Sequence, residues 1–99
     1  MSVPEITYTE TGSKARYAAR VAGVDGEAEL TISRLSPTVV IADHTAVPDG
    51  MRGMGIAGAL AQRLIADARA SGTRIVPLCP FLRGYAQRHA KDLSDVIQW

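Results

Sequence analysis

The chain has 99 residues, 46% hydrophobic and 21% charged, and 11 basic against 10 acidic side chains leave a net charge of +1. That suffices for one small domain over 1–99 without a second, and gives no electrostatic ground for binding nucleic acid or an anionic membrane. A single cysteine, Cys79, excludes an intramolecular disulfide and suits a reducing compartment.

The start, MSVPEITYTETG, is polar and lacks an apolar signal core. No apolar run approaches the roughly 20 residues of a membrane span, so a cytoplasmic protein is expected. Within residues 1–14 only Ile6-Thr7-Tyr8-Thr9 carries a strand signal, broken by Pro4, Gly12 and Ser13. From Ala15 the pattern sharpens: Tyr17, Ala19 and Val21 alternate with Arg16, Ala18 and Arg20, the period of a half-buried strand. Gly23-Val24-Asp25-Gly26 supplies a turn, and Ala28, Leu30 and Ile32 alternate with Glu29, Thr31 and Ser33 as the second arm of a hairpin.

After Ser36-Pro37, the run Thr38-Val39-Val40-Ile41-Ala42 is apolar on both faces, which predicts a central strand covered on both sides. It continues through Asp43-His44-Thr45-Ala46-Val47 to a turn at Pro48-Asp49-Gly50. From Gly55, Ile56, Leu60, Leu64 and Ala68 recur every four residues, and Ser71-Gly72 ends the helix. Thr73–Leu78 reads as a short strand, so strand–helix–strand predicts a right-handed crossover and a parallel pair. Phe81, Leu82, Tyr85 and His89 fall at helical spacing from about residue 80, with room for one more turn over 91–99. The predicted order β-β-β-α-β-α is an α/β sandwich with a mixed, mostly antiparallel sheet.

Gly53, Gly55 and Gly58, just ahead of the long helix, match G-x-G-x-x-G. Glycines at a helix start let a ligand approach backbone amides that have no partner of their own, and Arg52 adds a phosphate-binding side chain. A plain glycine turn fits the pattern equally well. The dinucleotide reading fails on context, because three strands come first and no acidic residue ends the next strand. No Gly-Lys-Ser/Thr supports a P-loop.

What remains is Arg52-x-x-Gly55-x-Ala57 between a buried strand and an amphipathic helix. It resembles the coenzyme A pyrophosphate loop, Gln/Arg-x-x-Gly-x-Gly/Ala, of the GNAT superfamily of N-acetyltransferases. With His44-Thr45-x-Val47-Pro48, Val76-Pro77-Leu78-Cys79-Pro80-Phe81 and Tyr85-x-x-x-His89, the chain from Ala15 to His89 is similar to the small single-domain members. One stretch departs from their usual His-Pro-Glu-Tyr and reads His89-Ala90-Lys91-Asp92. The resemblance implies a sheet that splays after the strand ending near Val47. Val47 would then contact the pantetheine arm, and the amides of Arg52, Gly53, Met54, Gly55, Ile56 and Ala57 would hold the pyrophosphate of acetyl-CoA.

Acyl transfer to an amine needs the amine held at the thioester carbon, a donor for the developing oxyanion and a proton for the departing thiolate. Cys79, between a strand end and a helix start, is a candidate nucleophile or leaving-group acid, and the resemblance places it in the site; a small buried hydrophobe is the plain alternative. His44 closes the central strand on the same sheet edge as Cys79 if their strands are parallel neighbours. There it is either a base for the amine or a structural histidine. The resemblance implies that a tyrosine on the second helix, here Tyr85, protonates the thiolate; packing is the other reading. His89 suits a helix C-terminal cap, and no metal-binding set is expected. The expected function is N-acetyl transfer from acetyl-CoA to an amine, on a protein or a small molecule, by direct attack in a ternary complex with Cys79 assisting. The alternative is a non-catalytic acyl-CoA-binding module. A monomer or weak homodimer is expected.

Overall fold

The computed structural model describes residues 4–99, so the first three residues of the expected 1–99 domain lie outside the described residues. Along the chain come β1 (Glu5–Thr11), β2 (Lys14–Arg20), β3 (Ala28–Ser36), β4 (Val39–Ala46), a 3-10 turn (Asp49–Met51), α1 (Ile56–Ser71), β5 (Arg74–Pro77) and α2 (Pro80–Arg88). The sheet order follows the chain order, β1-β2-β3-β4-β5. The first four strands pair antiparallel, and β4 pairs β5 in parallel across the α1 crossover. The α/β class and mixed sheet are those expected from the sequence.

The strand count is not. The expected β-β-β-α-β-α gains β1, because the residues read as an interruption are its turn. Thr11 pairs with Lys14 across Gly12-Ser13, and Gly12 takes φ +62°, a value glycine adopts without a Cβ penalty. A positive φ at the first turn residue alone is the geometry of a II′ hairpin.

One face of the sheet is buried. Tyr17, Ala19, Leu30, Ile32, Val40, Ala42 and Ile75 share a cluster with Ile56, Leu60, Leu64 and Ala68 of α1 and with Leu82 and Ala86 of α2. The other face carries Arg16, Glu29, Thr31, Ser33 and Asp43, with Arg16 bonded to both Glu27 and Glu29. So β4, predicted to be covered on both sides, is fully buried on one. Val40 and Ala42 are buried, whereas Val39 and Ile41 are half-buried.

Strand β4 also slips a register. Ile32 faces Ala42, but Thr31 faces His44, so Asp43 is an extra, bulged residue. Side chains alternate across a strand, and one extra residue reverses the phase beyond it. Counting by twos from Val40 and Ala42 puts His44 on the core side. The bulge puts Thr45 there instead, opposite the fully buried Leu30.

Helix α1 begins and ends on left-handed glycines, Gly55 at φ +73° and Gly72 at φ +71°. The latter's N–H closes the last turn onto Ala68 and Arg69. Beyond α2 the chain returns to the outer edge of β5. Ile97 bridges Ile75 in parallel, and the Ile75 N–H donates to the Val96 carbonyl at 2.7 Å. Arg74 donates to the carbonyls of Asp95 and Ile97, and Arg69 forms an ion pair with Asp95 at 3.0 Å. These arginines strap residues 92–97 onto the sheet.

Candidate active site

The glycine loop makes an open cradle. Gly53 and Gly55 both have positive φ, +79° and +73°, which a side chain rarely tolerates. Gly58 has no such need, and a Cβ built on Gly53, Gly55 or Gly58 meets nothing within 4 Å. Among the described residues, the N–H groups of Gly55, Ile56, Ala57 and Gly58 find no acceptor, whereas the Ala59 N–H is the first to close, onto the Gly55 carbonyl at 3.0 Å. Four donors therefore point out of the positive end of a 16-residue helix. The Met54 N–H, expected to join them, donates to the Met51 carbonyl at 3.3 Å. The Arg52 guanidinium is exposed and rests 3.1 Å from the Asp49 carboxylate.

A cleft of about 300 Å³ opens over this loop. Val47, Arg52, Gly53, Gly55, Ile56 and Ala57, all predicted as cofactor contacts, line it. Gly58, the third glycine of the G-x-G-x-x-G match, lines it as well, as do Met51 and Phe81, which the sequence did not single out for binding. Phe81 lies in the Pro-Leu-Cys-Pro-Phe stretch, but only the fold brings it, on α2, to the cleft over the glycine loop.

The sheet parts beside this cleft. Pairing of β4 with β5 ends at Ala42–Pro77, followed by a last bond from the Cys79 N–H to the Ala42 carbonyl at 2.9 Å. Beyond it, Asp43 is bulged and His44–Ala46 pair only with β3, and β5 has turned into α2. The sheet thus parts after Ala42, five residues before the splay expected after Val47. The cause is local: Cys79 caps α2 with extended φ −65° and ψ 134°, and Pro80 at the first helical position pulls the chain off the sheet.

The expected catalytic residues are not all brought together. Cys79 is 2% exposed and does not line the cleft. Its Sγ lies 3.1 Å from Thr45 Oγ1. The condition set for His44 holds, since β4 and β5 are parallel neighbours, yet the bulge turns its exposed side chain to the other face, next to Thr31. Tyr85 is half-buried in a ladder along α2, its ring centroid 6.1 Å from Phe81 and 4.5 Å from His89. Its hydroxyl has no protein partner among the described residues. His89, at the C-terminal cap of α2 and exposed, sits where its predicted capping role put it. Thr45 is the residue sequence reasoning missed, because no strand periodicity signals a bulge.

No helix among the described residues is long and apolar enough to cross a membrane. Curated proteins offer no match to the sequence. The model of the GCN5-related N-acetyl-transferase family does match, over residues 16–96. That span takes in β3, β4, the glycine loop, α1, β5 and α2, every element that builds the cleft and the parting of the sheet. The chain therefore belongs to the GCN5-related N-acetyltransferase family.

Proposed function

We propose that the protein, as a single cytoplasmic domain spanning 1–99, is an acetyl-CoA-dependent N-acetyltransferase acting on an amine acceptor. The observation that carries this reading is the row of unpartnered amides at Gly55–Gly58 beside Arg52, at one end of a sheet edge left open at Asp43–Ala46. Amides at a helix start, with a guanidinium, hold a diphosphate. The open β4 edge offers backbone donors and acceptors to the amides of a pantetheine arm, as a further strand would. Val47 and Phe81 supply the apolar wall between the two.

In this scheme the thioester lies where β4 and β5 part, near Thr45 and Cys79. The acceptor amine attacks the thioester carbon, the carbon–sulfur bond breaks, and the amine proton leaves as the thiolate takes one up. The chain's main contribution is position. Cys79 or Tyr85 stands as the proton source for the thiolate, whereas His44, expected as the base, lies on the other sheet face and leaves the amine proton to solvent. A non-catalytic acyl-CoA-binding module is the second reading, favoured by one observation, the burial of Cys79 away from the cleft.

Calorimetry with acetyl-CoA, coenzyme A and dephospho-coenzyme A tests binding, and the absence of heat with all three ends both readings. A thiol-release assay over an amine panel, with wild type and Cys79→Ala, then separates them. Turnover establishes the enzyme, and tight binding without turnover on any amine leaves the module.

A further inference from the structure

Besides the glycine cleft, the molecule offers a groove of about 220 Å³ at the far end of α1, lined by Tyr8, Tyr17, Arg34 and Asp67. Its charged groups are already spent on one another: Tyr17 and Arg63 both donate to Asp67, and Arg34 donates to Glu10. The contact between Thr45 and Cys79 is different, because it leaves a donor over.

We propose that Thr45 positions the Cys79 thiol for acyl transfer, and that the bulge at Asp43 is the device that brings it there. The inference rests on the acetyltransfer reading. The two residues are 34 positions apart, and their polar atoms meet at 3.1 Å. Between them they hold two hydrogens, one on sulfur and one on oxygen, but share a single hydrogen bond. Whichever atom donates, one hydrogen stays unused, because neither group has a further partner among the described residues. That spare hydrogen stands where β4 and β5 separate, the place the reading assigns to the thioester.

The bulge decides which residue takes this post. With regular pairing, His44 would face the thiol and Thr45 would join Thr31 and Ser33 on the polar face. Instead the Asp43 carboxylate accepts from Ser33 Oγ at 2.5 Å and lies 3.9 Å from Lys14 Nζ, which fixes the extra residue in place. The Thr31 hydroxyl donates to the His44 carbonyl at 3.4 Å just beyond. Threonine suits the position: its branched Cβ restricts χ1, so Oγ1 is held rather than searching.

Three variants test this: Thr45→Val, nearly the same shape without the hydroxyl; Thr45→Ser, which keeps it; and Cys79→Ala. With acetyl-CoA and an accepted amine, Thr45→Val should lower kcat roughly ten- to hundredfold with KM for acetyl-CoA unchanged, and Thr45→Ser should recover most of the rate. In a Cys79→Ala background, Thr45→Val should cost nothing more. An equal loss in both backgrounds, or no loss in either, overturns the proposal. A second readout needs no activity. Cys79 is the only cysteine, so the infrared S–H stretching band reports its thiol alone. Thr45→Val should shift that band, and Thr45→Ser should leave it in place. An unmoved band overturns the contact itself. A shifted band in a protein without turnover keeps the contact and ends the acetyltransfer reading instead.

Discussion

Arg52 and Asp49, three residues apart, form an ion pair at 3.1 Å across the mouth of the glycine cradle, with side chains 73% and 91% exposed. A pair so open to water contributes little to folding. It holds the guanidinium beside the cradle while leaving it easily displaced by a diphosphate. Asp49→Asn should therefore strengthen coenzyme A binding about two- to fivefold at low salt, by removing a competing anion. Arg52→Gln should weaken binding and flatten its salt dependence. Calorimetry at two ionic strengths reads both, and unchanged affinity in both variants would remove Arg52 from the site.

Gly58 separates folding from binding. It needs no positive φ, and an added Cβ meets no protein atom. Glycine in a helix costs up to about 1 kcal/mol relative to alanine. Gly58→Ala should raise Tm and weaken coenzyme A binding, because its methyl group would occupy the space over the amides. A stabilised variant that binds as tightly as wild type would show that no ligand approaches the helix there.

Tyr17 sets an alkaline limit. Its phenol donates to Asp67 Oδ2 at 2.7 Å, and desolvation first, then the Asp67 hydrogen bond, hold its pKa far above the ordinary tyrosine value. A pKa raised on folding means stability that is whole below the unfolded value, about 10, and is lost as the pH rises beyond it. Denaturant midpoints should fall from about pH 10 upward in wild type. In Tyr17→Phe the fall should be shallower. Identical alkaline slopes in the two proteins would count against the buried phenol.

The strap at the C-terminus sets an acid limit. Its hydrogen bond from Arg69 holds the Asp95 carboxyl below the usual aspartate range. A depressed pKa means stability present above the unfolded value, about 4, and lost as the pH falls through the folded one. Trp99, the only tryptophan, lies two residues past the Ile97 bridge and reports docking by its emission. Emission should change below about pH 4 in wild type. Asp95→Asn, still held by the Arg74 bonds and the Ile75–Ile97 bridge, should keep the neutral-pH emission and change less on acidification. A variant whose emission follows the wild-type curve below about pH 4 would show that this carboxylate does not govern docking.

The elements legible in the sequence are those whose signals are local. Helix α1 was readable from four-residue spacing and the Ser71-Gly72 stop, and α2 from Pro80 onward, because caps and periodicity act within a turn or two. The parallel pair followed from strand–helix–strand order. The cradle was readable too, since Gly53 and Gly55 stand where only glycine takes the required φ. Strand β1 was legible only as a weak signal at Ile6–Thr9, because its edge position leaves Glu5, Thr7 and Thr9 exposed and its turn, Gly12-Ser13, reads as an interruption.

The sequence by itself determined the family pattern, the anion-ready helix start and the presence of one cysteine at a strand end. Only the tertiary structure decided which neighbour that cysteine meets and where the sheet opens. A bulge depends on partners in another strand, here Ser33 holding Asp43, and one extra residue reverses every side chain after it. Threonine rather than histidine then faces the thiol, because register is set between strands and not along one.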